Sequence, residues 1–159
     1  MVQPIPPGHH SLAPHLVIRG ASAAIEFYKS AFNAEEISRM PWPNGEGIMH
    51  AELQIGDSRL FLCDETPPME RWVSPKSLNG TAVALHLWTD DAEGAFERAV
   101  NAGSRVEMPL TDMFWGDRYG RIIDPFGHEW AIAQHIRDMT PEEIQAAAEQ
   151  FAAPENPPE

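Results

Sequence analysis

At 159 residues and a formal net charge of −13, from 24 acidic against 11 basic side chains, the chain has room for one well-cored domain or two small modules. With no Lys/Arg stripe, that charge excludes nucleic acid and anionic membrane as partners; it serves solubility, or draws a cationic ligand. An apolar fraction of 43%, with five Trp and seven Phe, excludes a disordered chain.

Residues 1–11, with three prolines and the His9-His10 pair, read as an extended arm. Ala13 to Arg19 alternates as a strand, with Pro14, Leu16 and Ile18 on one face and Ala13, His15 and Val17 on the other. Ala21 to Phe32 carries apolar residues at helical spacing, with Ser22 placed to cap it. Glu35 to Met40 predicts a strand, Pro41-Trp-Pro-Asn-Gly a hairpin turn, and Ile48 to Ile55 a strand turning His50, Glu52 and Gln54 away from the core. Gly56-Asp57 then turns the chain into Leu60 to Cys63. Cys63 is the single cysteine, so no intramolecular disulfide forms, and it reads as a buried structural thiol in a reducing compartment.

Residues 64–80 are Pro-rich and polar and read as a linker. A strand over Thr81 to Trp88, a helix from Ala92 to Ala102 ended by Gly103, and a strand over Arg105 to Met108 follow. Met113 to Gly120 predicts a loop entering a strand to Ile123. Asp124-Pro-Phe-Gly127 predicts a turn, Glu129 to Gln134 the last strand, and Thr140-Pro-Glu-Glu the start of a short helix to about Ala152. The Pro-rich end is expected to fray. No charged-then-apolar leader and no apolar run near the ~20 residues a bilayer needs are present, so a cytoplasmic protein is expected.

The second half repeats the first at an offset of 71 positions: His15 falls on His86, Leu16 on Leu87, Glu26 on Glu97 and Gly56 on Gly127. The expected fold is α+β: two tandem βαβββ modules, over 12–63 and 81–136, forming a curled mixed-sheet cup, with a short helix and tail over 137–159. Such a cup suits a small molecule.

Phe27-Tyr28, His50 to Asp57, Trp115-Gly-Asp-Arg-Tyr-Gly120 and Asp124-Pro-Phe-Gly-His-Glu-Trp130 resemble the PhnB-like branch of the vicinal oxygen chelate superfamily. That superfamily includes glyoxalase I, bleomycin-resistance proteins and extradiol dioxygenases, and the similarity spans about Leu12 to His135. The resemblance implies paired modules, often in homodimers, and a His or Glu ligand on the first and last strand of each module. Those four positions fall here on Ala13, Leu60, Ala84 and Ala131, none of which binds a metal. Alternation offers a displaced set: His15, His86 and Glu129, with Ser58 as its weak fourth member, shifted together if the first and last strands of a module run antiparallel. Two histidines and a carboxylate suit one divalent metal, Fe, Mn, Zn or Ni; alternatively the histidines are hydrogen-bonding residues of a metal-free cup.

Two functions compete. In an enzyme, a lyase, isomerase or dioxygenase by the resemblance, a metal polarises vicinal substrate oxygens while Glu129 or Glu52 moves a proton. In a bleomycin-resistance-type protein, the apolar, acidic cup sequesters a cationic or aromatic molecule. His50 and Glu52 either line the cup or face solvent, and Trp88 supplies an aromatic wall. Asp117 and Arg118, beside Trp115 and Tyr119, either clamp a ligand or form an ion pair holding their loop.

Overall fold

The computed structural model describes residues 2–66 and 72–152. The element order is β1 (His15–Ile18), α1 (Ala21–Phe32), β2 (Glu35–Pro41), β3 (Ile48–Ile55), β4 (Ser58–Asp64), α2 (Pro75–Leu78), β5 (Ala84–Trp88), α3 (Ala92–Asn101), β6 (Arg105–Asp112), β7 (Asp117–Ile123), β8 (Glu129–His135) and α4 (Pro141–Ala152). The strands form two four-stranded sheets, ordered β1-β4-β3-β2 and β5-β8-β7-β6. The two sheets repeat one plan, as the offset of 71 predicts. The expected α+β pair of βαβββ units is therefore present.

Each sheet buries one face under its own helix. Leu16, Ile18, Ala51, Leu53, Leu60 and Leu62 pack beneath α1, and Ile122, Trp130 and Ile132 beneath α3. The helices also pack on each other. Tyr28 and Phe32 of α1 reach Trp130 of β8, with ring centroids 5.4 and 4.6 Å away, so the two modules share one core. At its centre lies buried Asp124, which accepts hydrogen bonds from the Tyr28 hydroxyl at 2.7 Å, Trp130 Nε1 at 3.0 Å, and the Phe126 and His128 N–H groups at 2.9 Å.

Several sequence expectations need correction. Ser22 does not cap α1. Gly20 holds the N-cap in the left-handed region, and the Gly20 and Ala21 N–H groups donate to Asp64 Oδ1 instead, at 3.0 and 2.8 Å. The Ser22 hydroxyl accepts from Arg39. The linker contains a short helix, α2, capped by Ser74 with proline at its first turn. Residues 67–71 of the linker and the Pro-rich end, 153–159, lie outside the described residues.

Strand direction is the correction that matters most. β1 runs parallel to β4, and β5 parallel to β8, not antiparallel. Leu60 and Ser58 also alternate with Arg59 and Phe61, which puts them on the helix side of β4, away from the side of Ala13 and His15. Among the described residues, no helix is long and apolar enough to cross a membrane.

Candidate functional site

Among the described residues, no sheet or helix covers the faces turned away from α1 and α3. On the first sheet, register sets His15, Phe61 and Glu52 in one row across β1, β4 and β3. His50 lies beside them, its ring 5.6 Å from His15 and 5.3 Å from Phe61, while Trp72 stands 4.8 Å from His15. The N-terminal arm crosses this row. His9 Nε2 reaches Glu52 Oε2 at 3.4 Å, and His50 Nε2 reaches Glu52 Oε1 at 3.6 Å. Glu52 therefore faces the two imidazoles rather than open water. Burial, and then the neighbouring His50, push the His15 pKa down, so the ring is held in its neutral form.

The second sheet carries an aromatic row. His86 lies 4.7 Å from Trp88 and 5.9 Å from Tyr119, and Tyr119 lies 5.5 Å from Trp115. Trp88 is 57% exposed, a large apolar surface to leave in water. Ala131 and Ala133 make a flat floor between the β5 and β7 side chains. Glu129 is tied to Arg121, Nη1 to Oε1 at 2.9 Å.

Of the residues expected to bind ligand, Trp88, Trp115 and Tyr119 stand together with His86, and His50 and Glu52 stand together with His15. Asp117 and Arg118 neither clamp a common point nor pair with each other. Alternation sends Arg118 to the opposite face, where it meets Asp112 at 2.7 Å, and Asp117 accepts from His135 Nδ1 at 2.8 Å. His9, Arg59, Phe61, Trp72 and Arg121 escape sequence reasoning. Phe61 and Arg59 are legible in principle, since they alternate onto the side of His15.

The displaced metal set does not fit within one chain. Parallel pairing sets Glu129 beside Ala84, and Ala131 beside His86, so the two shifts run in opposite directions. Glu129 is engaged by Arg121, and the aromatic neighbours of His15 all lie on the arm side of α2, in 9–72. Among the described residues, no three His, Cys, Asp or Glu groups converge as a metal site.

Buried His128 bears on pH. Its Nε2 lies 3.2 Å from the Val17 carbonyl oxygen, and burial, the leading influence, pushes its pKa below the ordinary histidine value. The unfolded chain then binds this proton more readily. Stability from this site is full above about pH 6.5 and is lost as pH falls toward the lowered folded value. Thermal melts from pH 7.5 to 5 should show His128→Gln losing less stability on acidification than the parent.

Paired βαβββ modules with uncovered sheet faces are the architecture of the vicinal oxygen chelate superfamily. Residues 9–132 match the Glyoxalase/Bleomycin resistance protein/Dioxygenase superfamily, and the chain belongs to it. An uncharacterized Mycobacterium tuberculosis protein, Rv0887c, is 45% identical over 139 residues, covering 86% of this chain and 81% of its own. The crystal structure of the Arabidopsis thaliana product At5g48480 superposes with a TM-score of 0.61 at 29% identity, covering 77% of this chain and 96% of that one. A Bacillus cereus PhnB protein, described as a putative 3-demethylubiquinone-9 3-methyltransferase, has the same fold: TM-score 0.60, 16% identity, 79% of this chain and 99% of that one.

Proposed function

We propose that the protein binds a small molecule in a cup assembled by a homodimer, the first sheet of one copy facing the second sheet of the other. The observation that carries this is the pair of uncovered faces. Each helix covers its own sheet and the two helices pack together, so the lined faces point away from the shared core. β1 and β5 are edge strands, and open edges beside apolar faces favour pairing with a second chain. His86, Trp88, Tyr119 and Trp115 would form one wall of the cup, and His15, His50, Phe61 and Trp72 the other.

The test combines sedimentation at micromolar concentration with a thermal-shift screen of small aromatic compounds. A dimer is expected. Hits on the parent should lose roughly tenfold in affinity, about 1.4 kcal/mol, in His86→Ala, whose exposed side chain leaves folding intact. A monomer, or hits indifferent to His86→Ala, would count against the cup.

A second reading keeps a divalent metal shared between copies, held by His15 of one and His86 of the other. The placement of both histidines on uncovered faces favours it. Metal content of untagged protein separates the readings: near-stoichiometric metal lost in both His15→Ala and His86→Ala supports the second.

A further inference from the structure

We infer that the protein takes an organic oxyanion, a carboxylate or phosphoryl group on an apolar body, in the cavity within one copy between the β3–β4 turn and β5, with Arg59 as its anchor. The inference rests on the small-molecule reading above and names the ligand class.

Arg59 stands second in β4, on the same side of the strand as Phe61 and opposite Gln54 of β3. Its Nε and Nη1 are buried and have no hydrogen-bond partner among the described residues. Of the seven other described arginines, six face a carboxylate: Arg19, Arg39, Arg98, Arg105, Arg118 and Arg121. Arg137 instead donates to Met139 Sδ. In a chain of net charge −13, carboxylates are plentiful, yet among the described residues none pairs with this guanidinium. Removing a cation from water without acceptors is costly, and a site that bears the cost is poised for an incoming anion.

The surroundings say what else the ligand must carry. Arg59 lines a cavity of about 560 Å³ that runs from the β3–β4 turn to β5, with Leu12, Leu85, His86, Leu87 and Trp88 among its walls. That volume suits a drug-sized molecule rather than a bare ion. Trp88 and the leucines offer apolar contact, and His86 a polar one. The arm passes close over the arginine: a Cβ on Gly8 would lie 3.2 Å from Arg59 Nη2, so a larger residue there would push the guanidinium aside by a few tenths of an ångström. Guanidinium nitrogens present donors in fixed directions, which suits the oxygens of a planar carboxylate or of a phosphoryl group. The net acidity of the chain suggests a cationic ligand; the buried unpaired charge at the cavity is positive and points the other way.

The test uses benzoate, phenylphosphonate and benzylamine in titration calorimetry against the parent, Arg59→Gln and Arg59→Lys, with melting temperature and sedimentation alongside. Benzoate or phenylphosphonate should bind, and whichever binds more tightly identifies the oxyanion. Affinity should fall at least tenfold in Arg59→Gln, with partial recovery in Arg59→Lys. Without ligand, Arg59→Gln should melt no lower than the parent, because an unpartnered cation has been removed. Benzylamine binding in place of the anions, or anion binding unchanged in Arg59→Gln, would overturn the inference while leaving the cup intact. A dimer that dissociates in Arg59→Gln, with no anion bound by the parent, would also overturn it, by giving the guanidinium to a second copy. Failure of all three compounds, together with an empty aromatic screen, would sink the inference and the cup together.

Discussion

Asp124→Ala is expected to cost about 3–5 kcal/mol of folding stability, read as a fall in the urea midpoint at unchanged slope. The carboxylate satisfies four donors at once, the Tyr28 hydroxyl, Trp130 Nε1 and two backbone N–H groups. Each stranded donor costs roughly 1–3 kcal/mol when buried, and water entering the gap relieves part of the sum. Tyr28 cannot compensate by ionising. Burial, and then the charge of Asp124, raise its pKa well above the ordinary tyrosine value, so the hydroxyl remains a donor. Because Tyr28 belongs to the first module and Asp124 to the second, the loss should appear as one cooperative transition. Two separate transitions would show that the modules do not share a core.

Gly116→Ala should cost roughly 2–5 kcal/mol and loosen the exit of β8. Gly116 sits at φ 99°, and an added Cβ would lie 2.3 Å from the Arg137 carbonyl oxygen. Its own carbonyl accepts the N–H groups of Ile136 and Arg137, at 3.0 and 2.9 Å, so the obstructing backbone cannot retreat without breaking those bonds. The left-handed conformation accounts for about 1–2 kcal/mol and the clash for about 1–3. Gly45→Ala is the matched control. It has φ 77° but nothing within 4 Å of the new Cβ, so only the conformational part should remain. Proteolysis at residues 136–139 should quicken in Gly116→Ala alone. Equal losses in the two variants would refute the steric argument.

Alternation makes most of the sheet faces legible in the sequence. His15 opposite Leu16, and Glu52 opposite Leu53, follow from a period of two residues, and the fold keeps both. What the pattern cannot carry is which strand lies beside which, and in what direction. The displaced metal set depends on that, and parallel pairing of β5 with β8 separates Glu129 from His86. Leu60 shows a related limit, since aligning turns across the repeat shifts β4 by one residue and so to the wrong face. Arg59 stays hidden because the apolar run begins at Leu60, two residues inside the true strand. The short helix α2 is masked by proline, which punctuates linkers and opens helices alike; the serine before it decides the outcome.

The bond between Tyr28 and Asp124 joins residues 96 positions apart, and this separation has a consequence during synthesis. As the chain leaves the ribosome, α1 can fold onto its own sheet once β4 has emerged. Its outward aromatic side, Tyr28 and Phe32, has no cover until Trp130 follows. At about 5–20 residues per second the stretch from Asp64 to Trp130 takes roughly 3–13 s. Throughout that interval the nascent chain presents an apolar helix face to the cell, the condition in which partly folded chains aggregate.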